Sequence, residues 1–359
     1  MATPPRFHQL RVAELRRETP DAVSVLFEVP PGLQPDFRFA AGQYLTLRKT
    51  LGGAEVRRSY SICSGPDDGA LRIAVKRIDG GAFSVWANEG IQAGDVLDVM
   101  TPTGRFGVAY VPGAARVHVG FAAGSGITPI LSLTRGILGR EPRSRVFLFY
   151  GNRSAGGMLF REDLEELKDR HLGRLSIFNV LSQEQQDVPV LNGRLDAAKV
   201  RLLLRHVVPA HLVDHAFICG PAGMSDAVEA TLHELGLQPG QIHVERFVSA
   251  LGGQPRPRPA PAPASTPFAT ATLIADGSRA EVPVMEGESV LDAALRAGLD
   301  LPYACKGGMC STCRARVLEG AVRMAVNFSL ERWETDAGFV LTCQAHPTTT
   351  RVVIDYDQV

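Results

Sequence analysis

Long apolar runs are missing from this 359-residue sequence, although 45% of it is hydrophobic. No stretch approaches the roughly 20 apolar residues that a bilayer-spanning helix needs, so the apolar content is expected to fill cores and no membrane partner is expected. An excess of one charge is also missing, since 38 Lys and Arg balance 38 Asp and Glu. A nucleic-acid partner usually calls for a strong basic excess, and none is expected. The opening residues, MATPPRFHQLRVAELRRETPD, lack the apolar centre of a secretory signal, so a cytoplasmic address is expected. The nine histidines show no metal-ligand spacing. Cysteine is scarce, with six in all. Cys63 and Cys219 stand alone, while Cys305, Cys310, Cys313 and Cys343 crowd into the last part of the chain. In a long chain without a secretion signal, such crowding argues for reduced thiols or metal ligands rather than disulfides.

What is present reads as several domains. VSVLFEVP, QYLTLRK, SYSICS and LRIAVKR are short alternating runs separated by Gly, Pro and Asp turns, which predicts an antiparallel β-barrel over residues 1–112. From residue 113 to 250 apolar strands such as RVHVGFAAG and RVFLFYG alternate with helical segments such as GITPILSLTRGILG and LFREDLEELKDRHLG. That alternation predicts a parallel α/β domain. Residues 251–267 are rich in Pro and Ala and read as a semi-extended linker. Residues 268–359 form a last α+β unit, with strands FATATLI, EVPVM, CRARVLEG and RVVIDY and a helix at ESVLDAALRAG. This unit carries 12 acidic and 8 basic residues, against 26 and 30 in the rest of the chain. The small imbalance is weak support for docking between the two.

The sharpest motif is Cys305-Lys-Gly-Gly-Met-Cys310-Ser-Thr-Cys313, with Cys343 further on. Four soft thiolates at Cys-x4-Cys-x2-Cys and a distant Cys are the spacing of a plant-type [2Fe-2S] cluster. Gly307 and Gly308 let the backbone wrap closely, leaving amides to point at sulfur. A four-cysteine zinc site is the alternative, although zinc favours two Cys-x2-Cys pairs and only one is present. A Rieske centre needs two histidine ligands, and no histidine lies between Cys305 and Cys343.

Two further motifs suit nucleotide cofactors. Gly120-Phe-Ala-Ala-Gly124-Ser-Gly126-Ile-Thr128-Pro129 follows a predicted strand and opens a predicted helix, which suits a phosphate-binding turn. A plain tight turn is the alternative, and no Gly-Lys-Ser/Thr follows that would make it a P-loop. Arg58-Ser59-Tyr60-Ser61 offers a phosphate partner, a ring to stack on a flavin and a hydroxyl for a ring nitrogen. Read alone, it is equally an ordinary surface strand. Cys63, Trp86, Phe121 and His118 read as packed residues rather than ligands.

Residues 8–250 resemble the ferredoxin-NADP⁺ reductase superfamily. Arg58, Tyr60 and Ser61 match its flavin motif, and Gly81, Phe83 and Ser84 match the segment that meets the flavin pyrophosphate. Gly124, Gly126, Thr128 and Pro129 match the nicotinamide pyrophosphate turn. Cys219, Gly220 and Pro221 match the motif at the nicotinamide end, and Glu245 and Phe247 resemble the acidic and aromatic pair near the flavin. The resemblance implies catalytic roles for Ser61, Cys219, Glu245 and Phe247. Arg153 and Ser154 lie beyond a strand, where a coenzyme ribose is expected. They suit a 2′-phosphate, which favours NADPH with NADH possible, or form a polar loop. With the C-terminal ferredoxin-like domain, of β-grasp type, the order of domains is similar to reductase components of multicomponent oxygenases. That similarity implies electron flow from NAD(P)H through FAD, preferred to FMN, to the [2Fe-2S] cluster and then to an oxygenase component. A di-iron epoxidase complex is preferred as partner. A Rieske-type ring or ketosteroid hydroxylase, or a stand-alone quinone or acceptor reductase, is the alternative.

Overall fold

The computed structural model describes residues 5–247 and 267–358. Its strands form three larger sheets and one two-stranded sheet. The first is built from β1 (Phe7–Thr19), β2 (Ala22–Glu28), β3 (Tyr44–Leu51), β4 (Ala54–Ser61), β5 (Leu71–Lys76) and β6 (Val96–Met100). Its order is β4-β3-β6-β1-β2-β5, and every pairing is antiparallel. An isolated bridge from Ile62 to Ile73 ties the ends of the row together, which closes the barrel. Alternate residues such as Val23, Val25, Leu45, Leu47, Ile73 and Val75 fill its interior, as the two-residue period of a strand requires. One short helix, α1 (Ala82–Glu89), packs Phe83 and Ala87 into that core.

The second sheet is wholly parallel. It comprises β7 (Val117–Ala123), β8 (Arg145–Asn152), β9 (Leu175–Leu181), β10 (His215–Gly220) and β11 (Ile242–Arg246). Helices α2 (Ile127–Arg140), α3 (Arg161–Arg170), α4 (Ala197–His206) and α5 (Ala222–Glu234) connect them. The order β11-β10-β7-β8-β9 reverses direction beside β7, where ligands of such sheets bind at the strand ends. Helices on both faces explain why β7 is buried along nearly its whole length. Asp196 starts α4 by accepting from Lys199 N at 2.8 Å, and α3 carries Glu162 and Asp163 in its first turn and Lys168 and Arg170 in its last, matching the helix dipole.

The third unit contains β12 (Ala269–Ala275), β13 (Ser278–Val284), α6 (Val290–Arg296), β14 (Arg314–Glu319), β15 (Val322–Met324), α7 (Arg332–Asp336), β16 (Phe339–Leu341), β17 (Ala345–Pro347) and β18 (Arg351–Asp355). Five strands form a mixed sheet in the order β13-β12-β18-β14-β16, and β15 pairs with β17 alone. Helix α6 buries Val290, Leu291, Ala293 and Ala294 in the core of this unit, which is the β-grasp arrangement expected from sequence. The sequence reading named neither β1 nor α7. The segment read as a linker, 251–267, lies outside the described residues except for Pro267. Among the described residues no helix is long and apolar enough to cross a membrane.

Candidate functional site

The loop between α6 and β14 carries three of the four clustered cysteines, and Cys343 follows β16. Lys306, Gly308 and Ser311 take left-handed backbone conformations, with φ of 52°, 75° and 48°. Such conformations are uncommon outside glycine and bend the loop tightly around its thiols. A side chain at Gly308 would stand 3.1 Å from the Val326 carbonyl oxygen, which with its positive φ favours glycine there. The thiols fall into two neighbouring pairs, Cys305 beside Cys310 and Cys313 beside Cys343. The Cys310 contact and backbone N–H groups, Gly307 among them, hold the Cys305 thiol below its ordinary value despite burial. Gly307 N–H lies 3.3 Å from Cys305 Sγ, and Cys305 N–H lies 3.4 Å from Cys310 Sγ. Among the described residues no three His, Cys, Asp or Glu groups are arranged around a single metal ion. Two thiol pairs with inward backbone N–H groups suit a group of two irons, each held by two sulfurs.

The flavin motif lies along β4. Arg58 is exposed, and its guanidinium donates to the Arg57 carbonyl at 2.8 Å with no ion pair among the described residues, leaving its charge available to an anion. Tyr60 packs at 5.7 Å from the Phe83 ring. Gly81 begins α1 with no side-chain cap, so first-turn N–H groups are open to a phosphate. The Phe83 ring, in contrast, is buried in the barrel core, so only its backbone can face a cofactor. Ser84 is also buried, and its hydroxyl accepts from Ile78 N at 3.1 Å while facing the Gly81 carbonyl at 3.2 Å. It braces the turn.

At the nicotinamide end, Gly124 has φ +54°. A side chain at Gly126 would stand 2.1 Å from the Cys219 carbonyl oxygen, so glycine allows the turn to press against the end of β10. The Thr128 hydroxyl donates to the Ser125 carbonyl at 2.9 Å and is buried with Pro129. Both shape the turn from within. Cys219 is fully buried, and burial pushes its thiol well above the ordinary value. It pairs in register with Glu245 on β11. Gly220 and Pro221 join β10 to α5. The Ser61 hydroxyl lies 3.4 Å from Glu245 Oε2. The structure thus brings Ser61, Glu245, Cys219 and Gly126 to one seam between barrel and parallel sheet. Burial pushes the Glu245 carboxyl up to about 8, against the pull of the Ser61 hydrogen bond. Phe247 is exposed just beyond β11. Arg153 and Ser154 follow β8. Arg153 is exposed and forms no ion pair among the described residues.

Residues that the sequence reading passed over join the third unit to the barrel. Arg57, with 4% of its side chain exposed, meets Asp300 at 2.8 Å and the Leu301 carbonyl at 3.3 Å. Its guanidinium lies 4.1 Å from the Tyr303 ring centre. The Tyr44 and Thr312 hydroxyls are 2.9 Å apart and buried. Arg105 bonds to Glu334, which also holds Arg314 at 2.8 Å beside Cys313. Adjacency to the motifs at Arg58 and Cys313 could have drawn attention to Arg57, Thr312 and Arg314, but not to Tyr44, Arg105, Asp300 or Glu334.

Comparison with known proteins agrees with this three-part arrangement. Residues 9–108 match the oxidoreductase FAD-binding domain family, 121–230 the oxidoreductase NAD-binding domain family, and 273–348 the 2Fe-2S iron-sulfur cluster binding domain family. The chain is 45% identical, over 98% of both chains, to a subunit of the 1,2-phenylacetyl-CoA epoxidase of Escherichia coli strain K12. It is 33% identical, over 98% of this chain and 96% of the relative, to the ferredoxin reductase component of 3-ketosteroid-9-alpha-monooxygenase from Mycobacterium tuberculosis. Among solved structures, phthalate dioxygenase reductase shares the fold, with a TM-score of 0.59, 24% identity, and coverage of 97% of this chain and 98% of the other.

Proposed function

The chain belongs to the family of oxygenase reductases that combine FAD-binding, nicotinamide-binding and [2Fe-2S] units, and we propose that its partner is a di-iron phenylacetyl-CoA epoxidase in the cytoplasm. It is an NAD(P)H-dependent oxidoreductase that delivers electrons to an oxygenase. The observation carrying the choice of partner is the 45% identity across nearly all of both chains, which spans all three units rather than one shared module.

FAD supplies the step between a two-electron hydride donor and one-electron acceptors. The chain's own residues prepare that step. Arg58 and the open N-terminus of α1 hold pyrophosphate, and the backbones of Gly81, Phe83 and Ser84 shape that cradle. Tyr60 lines the flavin ring. Gly124, Gly126 and the start of α2 receive the coenzyme pyrophosphate. Gly220 and Pro221 flank the coenzyme's nicotinamide end, and buried Cys219 supports it from beneath. Phe247 supplies an aromatic cover. Glu245 keeps a proton within reach of the Ser61 hydroxyl, and that pair sits where coenzyme and flavin approach each other. Arg153 and Ser154 hold the 2′-phosphate of NADPH. Cys305, Cys310, Cys313 and Cys343 would hold the two irons of the cluster.

The purified protein is expected to contain one FAD, two irons and two labile sulfides per chain. With NADPH and the oxygenase subunits of a phenylacetyl-CoA epoxidase it is expected to support epoxide formation. Support of a Rieske-type oxygenase with no support of the epoxidase would overturn the choice of partner. FMN in place of FAD, or zinc without sulfide, would overturn the cofactor assignment.

A further inference from the structure

The seam between the barrel and the third unit lies against the cluster loop. Tyr44, first residue of β3, pairs directly with Ser61 on β4, so the two side chains are cross-strand neighbours on one face. Ser61 closes the flavin motif. The phenol end of Tyr44 leads away to Thr312, between Cys310 and Cys313. Thr312 Oγ1 lies 3.4 Å from the Cys310 carbonyl. With Thr312 donating there, Tyr44 donates to Thr312. The ring is held in place from the barrel side. Gly104 has φ +112°, and a side chain on it would stand 3.0 Å from the Tyr44 ring. The phenol is buried against Thr312, which favours its neutral, hydrogen-bonded form.

We propose that Tyr44 is the positioning residue for electron transfer from flavin to cluster: its hydrogen bond to Thr312 holds the Cys310–Cys313 segment against the flavin barrel and forms a bonded route between the two sites. This rests on the relay reading above. In the step itself, one electron leaves the reduced flavin and one ferric iron of the cluster becomes ferrous. Tyr44 and Thr312 are neither oxidised nor reduced, and the phenol proton stays on its oxygen. Tunnelling falls steeply with distance, so a contact that fixes the gap sets the rate. Removing the Tyr44 hydroxyl takes away the hydrogen bond that Thr312 Oγ1 accepts across the seam, and the loss of that buried contact is expected to lower the population of the docked arrangement about tenfold.

Single-turnover absorbance traces, with freeze-quenched electron paramagnetic resonance of the reduced cluster, separate flavin bleaching from cluster reduction. In Tyr44→Phe, cluster reduction is expected to slow about tenfold while flavin bleaching stays close to that of the parent. Thr312→Val is expected to match it, Thr312→Ser to keep the parent rate, and Tyr44→Phe with Thr312→Val to be no slower than either alone. Hydrogen exchange of residues 305–313 is expected to rise in Tyr44→Phe and to stay at the parent level in Thr312→Ser. Unchanged cluster reduction in Tyr44→Phe, or additive losses in the double variant, would overturn the proposal. A parent protein that bleaches its flavin but never reduces its cluster would instead overturn the relay reading, and the role of Tyr44 with it.

Discussion

Glu245 offers a direct test of how the flavin seam works. Burial lifts its carboxyl from the ordinary 4.5 to about 8. At pH 7 the group is therefore protonated about ten to one, and the Ser61 hydroxyl, 3.4 Å away, donates to its Oε2. The shift is equivalent to roughly 5 kcal/mol between the two protonation states, as an upper limit. The sign follows from proton binding: between 4.5 and about 8 the folded state binds the proton and the unfolded state has released it. Stability contributed by the neutral acid is thus full at low pH and declines as pH rises, by about 1.4 kcal/mol per unit across that window. Glu245→Gln fixes the neutral state. Its stability relative to the parent is expected to rise by roughly 3 kcal/mol between about pH 6 and pH 9. Ser61→Ala removes the one contact favouring the carboxylate, so its inflection is expected to lie above that of the parent. Thermal melting across pH gives the stability curve, and single-turnover flavin reduction gives the functional one. If parent and Glu245→Gln melt along parallel curves and their rate profiles share one inflection, Glu245 is not a neutral acid at the seam.

Replacing Arg153 with Ala removes a charged phosphate donor and should narrow the preference for NADPH over NADH about tenfold in kcat/KM, read by steady-state kinetics with both coenzymes; equal preference in the parent would refute the clamp. At the opposite end of the parallel sheet, His215 Nδ1 lies 3.2 Å from His243 Nε2, and the His118 and His215 rings stack at 5.6 Å. Burial and the neighbouring histidines hold His243 down at about 4, and burial lowers His118 and His215 as well. Acidification from about 6.5 to 4 should therefore destabilise this unit, by roughly 2 kcal/mol for His243 after allowing for its partial exposure. His243→Phe should flatten that limb of the melting curve, and a parent curve flat over the same range would contradict it.

The readable parts of the site were those whose chemistry is local in sequence. The Cys305–Cys313 run announces its sulfurs by spacing, and the glycines at 124 and 126 announce a tight turn between strand and helix. The structure supplies the reason for Gly126, the backbone of Cys219 pressed against it. Contacts between distant residues were not readable in this way. Ser61 and Glu245 are 184 positions apart, and resemblance named them separately without saying that they touch. Ser84 shows the opposite difficulty. A serine at a phosphate-binding segment invites a role for its hydroxyl, yet its oxygen is already used by Ile78 and Gly81. Tyr44 was hidden most completely. In the run QYLTLRK it falls on the face opposite Leu45 and Leu47, which fill the barrel, and nothing local reveals that its hydroxyl reaches another unit.

The seam around the cluster loop also divides into contacts of different physical kinds. Arg57 is almost fully buried, but its partner Asp300 keeps 68% of its side chain exposed. Such a pair orients more than it stabilises, because solvent screens the outer charge. Tyr44 and Thr312 are neutral and buried, so salt leaves their contact largely untouched. Arg105 reaches the loop indirectly, through Glu334 and Arg314. These three contacts meet the segment before Cys305, the turn between Cys310 and Cys313, and the strand leaving Cys313. Three points not on one line fix the orientation of a rigid body. The distance from Ser61 to the cluster cysteines then follows from the side chains of the seam.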